Sequence, residues 1–114
     1  MSDMPVDSPY PPMKKMLKLS VFVRNTDKHE GKAISDVLID LFKRNGISGT
    51  TVVQGVRGYG VRGTSRADVL GLSINLPLII QTIDEYQKIE SVLINVKNIV
   101  GSNGLITLEE VNAF

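Results

Sequence analysis

The spacing of hydrophobic residues constrains the fold of this chain more than any other feature. From residue 17 to 23 apolar and polar residues alternate, which predicts a half-buried strand. From residue 34 to 42 the apolar residues recur at helical spacing, and Asn45-Gly46 supplies a left-handed stop. Residues 50–59 are rich in Thr and Val and predict a second strand, whose glycines suggest a bulge or the close approach of another backbone. We expect residues 61 to about 74 to form a loop.

The second half of the chain repeats this order of elements. Pro77 fits the start of a strand, and residues 78–83 form a nearly continuous apolar run that predicts a central strand covered on both faces. Asp84 is placed to cap a second helix, with Gln87 positioned to complete a capping box. The apolar stripe of that helix runs from residue 89 to 100, and residues 105–111 predict the last strand.

The predicted order is therefore strand, helix, strand, strand, helix, strand. Two split βαβ units with right-handed crossovers give a ferredoxin-like α+β sandwich, in which a four-stranded antiparallel sheet carries both helices on one face. The helices leave the other face uncovered, although Phe22 and part of the 78–83 run have to point there. Uncovered apolar surface of this kind indicates a partner, and further copies of the same chain are the simplest one.

Composition limits the classes of function. The chain has 114 residues, enough for one domain, and a net charge of +1, so any affinity for anions has to be local. It has no cysteine, which excludes disulfides, thiolate metal sites and cysteine nucleophiles. Residues 1–13 are rich in Pro, Ser and Asp and predict a disordered tail before a domain that spans residues 14–114. With no signal-peptide pattern and no membrane-spanning run, we expect a cytoplasmic protein.

The glycines of residues 49–68 suggest a binding loop. Gly58, Gly60 and Gly63 spell G-x-G-x-x-G, but a dinucleotide fingerprint requires a helix directly after it, and residues 64–71 show no helical pattern. Successive glycine N–H groups can instead form a nest that binds an anion.

Basic residues in the same stretch support local anion binding. Arginine is well suited to phosphate or carboxylate because its guanidinium group is a charged, forked donor. The alternative is a mobile turn with solvated arginines. The candidate ligand-binding residues of this loop are Arg57, Gly58, Tyr59, Gly60, Arg62, Gly63 and Arg66.

Other motifs give weaker indications. Residues 53–56 resemble the V-x-G-V stretch of acylphosphatases, but that family places it between the first strand and the first helix. His29-Glu30 does not start an H-E-x-x-H site, because Ala33 occupies the second histidine position, and with Asp27 it would give only a weak metal site. Lys32 would lie in the first turn of the first helix, facing either an anion or water.

Four stretches share their order and spacing with a known family. They are Glu30-Gly31-Lys32, Gly55-x-x-Gly58-Tyr59-Gly60, residues 76–80 leading to Asp84, and residues 104–109. In these residues the chain resembles the uncharacterised PII-like family, a domain of unknown function related to nitrogen regulatory PII and CutA proteins. The similarity covers about residues 16–112. It implies a ferredoxin-like subunit of a homotrimer, with small effectors, often adenine nucleotides, in clefts between subunits.

The resemblance also assigns positions. Residues 57–66 would correspond to the T-loop, which contacts regulated targets, and Gly101 and Gly104 would bound the glycine-rich phosphate loop. The T-loop equivalent is short, and no lysine accompanies residues 101–104, a charge that the loop arginines could supply.

We therefore expect a non-enzymatic regulatory protein without a cofactor or metal. It would bind a small anionic effector, such as a nucleotide, and an unidentified target protein, but neither nucleic acid nor a membrane. One alternative is a small acyl- or phosphoryl-hydrolase, for which no base or nucleophile is evident. Another is a nucleic-acid-binding module, which would require more strand aromatics than Phe22 and broader positive charge.

Overall fold

The computed structural model describes residues 9–67 and 73–114, which form nine strands, two α-helices and a short 3₁₀ turn. In chain order these elements are β1 (Lys14–Arg24), β2 (Lys28–His29), β3 (Lys32–Ala33), α1 (Ile34–Arg44), β4 (Thr51–Gln54), β5 (Arg57–Gly60), β6 (Gly63–Ala67), β7 (Ser73–Ile74), β8 (Pro77–Asp84), α2 (Tyr86–Val100), the 3₁₀ turn (Gly101–Asn103) and β9 (Leu105–Ala113). Most of the predicted tail, residues 1–8, lies outside the described residues.

The main sheet has four antiparallel strands in the order β4-β8-β1-β9. Its long central strand, β1, pairs along its length with β9 on one side and β8 on the other. Both helices pack on one face of this sheet. The predicted ferredoxin-like α+β sandwich is therefore confirmed.

The core lies between the helices and the sheet. Leu19, Val21 and Val23 of β1 are buried and Phe22 is exposed, as the alternation predicts, but Ser20 on the opposite face is buried as well. Each helix buries one apolar stripe, as the helical spacing predicts. The buried helix residues are Ile34, Leu38, Leu41 and Phe42 of α1 and Ile89, Val92, Val96 and Val100 of α2.

The largest difference from the sequence prediction lies between β4 and β8. The predicted second strand, residues 50–59, is divided at Gly55 and Val56 into β4 and β5. The predicted loop contains β6 and β7, which pair with β5 in a separate three-stranded sheet. Gly55 marks the division because it donates its N–H to the Pro77 carbonyl at 2.8 Å, and a Cβ there would lie 2.7 Å from Pro77 Cγ. The predicted close approach of another backbone is thus confirmed at Gly55.

Two predictions about helix starts are wrong. Helix α1 begins at Ile34, so Lys32 lies in strand β3 and not in the first helical turn. The N-cap of α2 is Glu85, without a side-chain cap bond, so the capping box of Asp84 and Gln87 does not form. The buried carboxylate of Asp84 instead accepts the N–H groups of Ser48 and Glu85, at 2.8 and 2.7 Å. Asp84 thereby links the segment that follows α1 to the start of α2.

The sheet face opposite the helices carries a row of apolar side chains. The register aligns Val53 with Ile79, Ile79 with Phe22, and Phe22 with Leu105, so the row crosses all four strands. We call these four residues the open-face row. Phe22 is 39% exposed, and Val53 and Leu105 are more exposed still. Strand β8 is consequently covered on one face only in the single chain, contrary to the prediction from its apolar run.

Candidate functional site

Strands β5 and β6 form a two-stranded hairpin whose turn is Val61-Arg62. We call residues 57–67 the basic hairpin. Its register sets Arg57 opposite Arg66 and Gly60 opposite Gly63. Strand β5 is an edge strand, while β6 pairs with β7 on its other side. The stretch for which the sequence predicted an anion-binding loop is therefore a paired ribbon.

The glycines of this ribbon do not form the predicted nest. A nest requires backbone N–H groups in alternating right- and left-handed conformations. Gly58 and Gly60 instead take ladder positions in β5 and do not have positive φ angles. Gly58 lies beside the Pro77 ring, which a Cβ would approach to 3.5 Å, an ordinary contact. The predicted binding of an anion would consequently depend on the arginines of the hairpin.

Arg62, at the tip, forms a bidentate ion pair with Asp27. Its Nη1 donates to Oδ1 at 2.8 Å and its Nη2 donates to Oδ2 at 2.7 Å. Asp27 is only 8% exposed, and its Oδ2 also accepts the Arg24 backbone N–H at 2.8 Å. Its main-chain carbonyl accepts the N–H of Ile34, so the same residue also holds the start of α1. Asp27 is therefore committed to structural bonds and not to the weak metal site considered with His29 and Glu30.

The electrostatics of the pair follow from this geometry. Burial acts to raise the pKa of Asp27, but the hydrogen bonds from Arg62 and from the Arg24 N–H, with the charges of both arginines, outweigh it, so the pKa lies below its usual value. The hydrogen bond to Asp27 in turn raises the pKa of Arg62. Asp27 is ionised and Arg62 is charged at neutral pH.

The turn that contains Asp27 is also bonded to Leu76, the residue directly before β8. Asn25 donates its N–H to the Leu76 carbonyl at 2.9 Å, and its Oδ1 accepts the Leu76 N–H at 3.0 Å. Sequence reasoning did not identify this role of the turn. Asp27 and Arg62 are 35 residues apart, and no periodic pattern links them.

The other candidate residues of the hairpin differ in exposure. Arg57 is exposed, Tyr59 is 88% exposed and Val61 at the tip is fully exposed. Arg66 is placed by its backbone pairing, directly across from Arg57. The hairpin thus presents basic positions together with an exposed aromatic and an exposed aliphatic side chain.

Gly101 and Gly104 have conformational and packing roles. Gly101 has a φ of +56°, which ends α2 in the left-handed region. A Cβ at Gly104 would lie 2.1 Å from the Phe22 carbonyl oxygen and 2.7 Å from Val23 Cγ1. The glycine is therefore required for the turn to pass directly against β1.

These contacts place two predicted features, the glycine turn and the basic hairpin, at the same end of β1. Gly104 packs against Phe22 and Val23, while the tip of the basic hairpin is bonded to Asp27, in the turn that follows Arg24. The starts of β8 and β9 lie at the same end, since Pro77 pairs with Arg24 and Leu105 with Phe22. The glycine turn, the hairpin tip and part of the open-face row thus lie at the same end of the sheet, where β1 ends and β8 and β9 begin. We call this region the loop end.

Lys32 belongs to a different surface. It lies across from His29 in the β2–β3 ladder and lines an open groove of about 500 Å³. The groove is lined by His29, Glu30, Lys32, Asp36, Val37, Asp40, Arg44 and Ile99. Acids and bases are mixed there, with His29 near Glu30 and Arg44 paired with Asp40 at 3.1 Å. In the part of the chain that the structure describes, no group of acids and histidines is suited to a metal ion.

The fold is that of PII-like proteins. The nitrogen regulatory PII-like protein CPII from Thiomonas intermedia K12, solved with ADP, AMP and bicarbonate, has a TM-score of 0.70 at 16% identity, over 90% of this chain and 91% of that one. The GlnK–ATP complex of B. subtilis has a TM-score of 0.56 at 15% identity, over 85% of this chain and 82% of that one.

The chain belongs to the DUF190 family, described as Uncharacterized ACR, COG1993, whose model matches residues 16–113. Among its relatives is UPF0166 protein MJ1524 of Methanocaldococcus jannaschii, which is 38% identical over 102 residues, 90% of this chain and 94% of that protein. The resemblance inferred from the sequence is therefore confirmed. Neither helix of the described residues is long and apolar enough to cross a membrane.

Proposed function

We propose that this protein is a cytoplasmic, PII-like regulatory protein and not an enzyme. It assembles as a homotrimer and binds a small anionic effector in clefts between subunits, beside the basic hairpin. The observation that supports the proposal is the loop end, where the hairpin tip is bonded to the turn that follows β1 and Gly104 packs against Phe22 and Val23 of β1. An effector held at the loop end would contact both the hairpin and the neighbouring subunit.

The chemistry of the hairpin supports an anionic effector. Arginine side chains bind phosphate and carboxylate through two parallel hydrogen bonds, and the hairpin has three arginine positions in ten residues. CPII was solved with ADP, AMP and bicarbonate, and B. subtilis GlnK with ATP. We propose an adenine nucleotide as the effector class for this chain. The proposed ligand-binding residues at the loop end are Arg57, Gly58, Tyr59, Gly60, Arg62, Gly63, Arg66, Gly101 and Gly104. Lys32, predicted with them, lies in the separate groove beside α1.

The open-face row supports assembly. An apolar strip across an otherwise uncovered sheet face is typical of a surface that another subunit covers. Burying Phe22 and its three aligned neighbours against other copies would add apolar contact to a small domain. A closed ring of three subunits would place every open-face row inside and every hairpin at a subunit boundary.

The exposed hairpin residues support a role in contacting a target. Tyr59 and Val61 project without cover in the single chain, and amphipathic and aliphatic side chains of this kind are common in protein interfaces. We propose that effector binding changes the order of the hairpin and thereby its affinity for a target protein.

A thermal-shift experiment on the purified protein tests this function. ADP, AMP, ATP and bicarbonate are added separately, and a ligand that binds only the folded state stabilises it by about 2.7 kcal/mol at a hundredfold excess over its dissociation constant. We expect at least one adenine nucleotide to raise the melting temperature. The rise should be lost in Arg57→Ala/Arg66→Ala, with the oligomer unchanged by light scattering.

The control for that variant is Lys43→Ala/Lys97→Ala, which removes the same charge from exposed positions in the last turns of the two helices. It should keep the wild-type shift. Equal shifts in both double variants would refute a hairpin site, and no shift with any nucleotide would refute the proposed effector class.

A further inference from the structure

The ion pair of Asp27 and Arg62 differs from the other ion pairs of the described residues. It is bidentate, and the Asp27 side chain is 7% exposed while that of Arg62 is 35% exposed. Asp40–Arg44, by comparison, is joined by a hydrogen bond of 3.1 Å between two exposed side chains. A bidentate guanidinium–carboxylate pair with one buried partner is a strong and directional contact.

This pair fastens the hairpin to the body of the molecule. In the part of the chain that the structure describes, the side-chain hydrogen bonds from the basic hairpin to the turn after β1 both come from Arg62. Strands β5, β6 and β7 form a separate small sheet, with β5 at its edge, and none of them belongs to the main sheet. Loss of the pair would therefore release the tip while leaving the hairpin ladder itself intact.

The same pair occupies the donors that an effector requires. Nη1 and Nη2 of Arg62 point at the two oxygens of one carboxylate, the arrangement in which a guanidinium binds a phosphate or a free carboxylate. The two donors cannot serve Asp27 and a second oxyanion in this geometry at once. We propose that Asp27 is an internal competitor for Arg62, which holds the hairpin closed until an oxyanion with two available oxygens displaces it. This proposal rests on the proposed function.

The local contacts make such an exchange reversible. Asp27 keeps the Arg24 N–H at 2.8 Å after Arg62 leaves, and the positive charge of Arg24 also acts on its carboxylate. Departure of the hairpin tip opens Asp27 to water. The carboxylate is thus not left as a buried charge without compensation, which is the usual penalty for breaking such a pair. Arg62 itself is accessible enough for a ligand to reach it.

The experiment compares oxyanion affinity in the wild type and in Asp27→Asn. The amide keeps the size of the side chain and can still accept the Arg24 N–H, but it loses the charge that competes for Arg62. Isothermal titration is carried out with ADP, inorganic phosphate and bicarbonate, and hydrogen exchange reports the backbone of residues 57–66. We expect affinity to rise about tenfold, since hydrogen bonds to a charged group no longer have to be broken first. Exchange in the hairpin should become faster.

The matched control is Asp40→Asn, which removes the same carboxylate chemistry from the exposed pair with Arg44. It should change neither affinity nor hairpin exchange. Asp27→Glu keeps the charge with a longer side chain that does not fit the same two bonds, and it should give a smaller gain. It serves as the second test if Asp27→Asn folds poorly by circular dichroism.

The outcomes separate this inference from the proposed function. A gain for ADP and phosphate identifies a phosphate group as the displacing anion, and a gain for bicarbonate alone identifies a planar oxyanion such as bicarbonate; either result supports the competition. Binding that is unchanged or weaker in Asp27→Asn, with faster hairpin exchange, would show a purely structural anchor and overturn this inference alone. Absence of binding by any of the three anions in both proteins would overturn the effector proposal as well.

Discussion

Gly104 lies so close to Phe22 that a Cβ on the glycine would stand 2.1 Å from the Phe22 carbonyl oxygen. The neighbour is backbone of the central strand and cannot rotate away. The same added atom would lie 2.7 Å from Val23 Cγ1, a residue of the buried core. The position therefore tolerates no side chain without a shift of the turn against the sheet.

Gly104→Ala should consequently destabilise the fold by about 3 kcal/mol, the upper part of the range for overpacked sites. Equilibrium urea unfolding measures the loss. The control is Gly49→Ala, because an added Cβ at Gly49 meets nothing within 4 Å and the residue does not have a positive φ angle. That variant should stay within about 0.5 kcal/mol of the wild type. Equal stability of the two variants would contradict the close packing of the turn.

Asp84→Asn should also lower stability, by about 2 kcal/mol, the typical cost of leaving a buried partner unsatisfied. The two carboxylate oxygens accept the Ser48 N–H at 2.8 Å and the Glu85 N–H at 2.7 Å, and the asparagine amide keeps only one of these acceptors. Thermal and urea unfolding both report the change. Asp40→Asn, on the exposed side of α1, serves as the surface comparison and should be close to neutral.

The stability of the protein should fall in acid because of Asp27 and Asp84. Burial acts to raise the pKa of Asp84, but hydrogen bonds from Glu85 and Ser48 and the charge of Lys88 together hold the pKa below its usual value, as Arg62 and Arg24 do for Asp27. A carboxyl group with a lowered folded-state pKa stabilises the fold fully above its unfolded-state pKa of about 3.9. That stabilisation is lost as the pH falls through this value toward the folded-state pKa.

Urea midpoints measured from pH 7 down to pH 3 should therefore decrease most steeply at the acid end. The double variant Asp27→Asn/Asp84→Asn should begin with a lower midpoint and show a smaller decrease. A double variant with the acid-induced loss of the wild type would assign that loss to other carboxyl groups.

Phe22→Asp should disrupt the proposed trimer, because a carboxylate in the middle of the open-face row would be buried without a partner on assembly. Light scattering after size-exclusion chromatography should show mainly monomer at micromolar concentration. The matched control is Ile94→Asp, since Ile94 is 77% exposed on helix α2, on the other side of the sheet. It should retain the wild-type mass, and a trimer formed by both variants would place the subunit contacts elsewhere.

The main sheet and the helices could be predicted from the sequence, but the hairpin could not. Alternation around Val21 and helical spacing around Leu38 reflect burial of one face, so these elements are visible in the chain itself. Strands β6 and β7 show no alternation of apolar and polar residues in the sequence, and they are recognised as strands only by their pairing, as of Gly58 with Ser65.

The same limit applied to individual side chains. A capping box was a reasonable prediction for Asp84, but the carboxylate has a partner at Ser48, 36 positions earlier, which local spacing cannot reveal. The arginines were identified as candidates from their number in a short stretch. That the Arg62 side chain is bonded to Asp27 depends on the tertiary path of the chain.

The turn after β1 has a consequence for how relatives of this protein can diverge. It fixes the chain at two points, Arg62 through Asp27 and Leu76 through Asn25. Residues gained or lost between these two points would leave both attachments in place, and with them the hairpin tip and the start of β8. Insertions should accordingly accumulate there during evolution, while the lengths of the segments on either side stay constant.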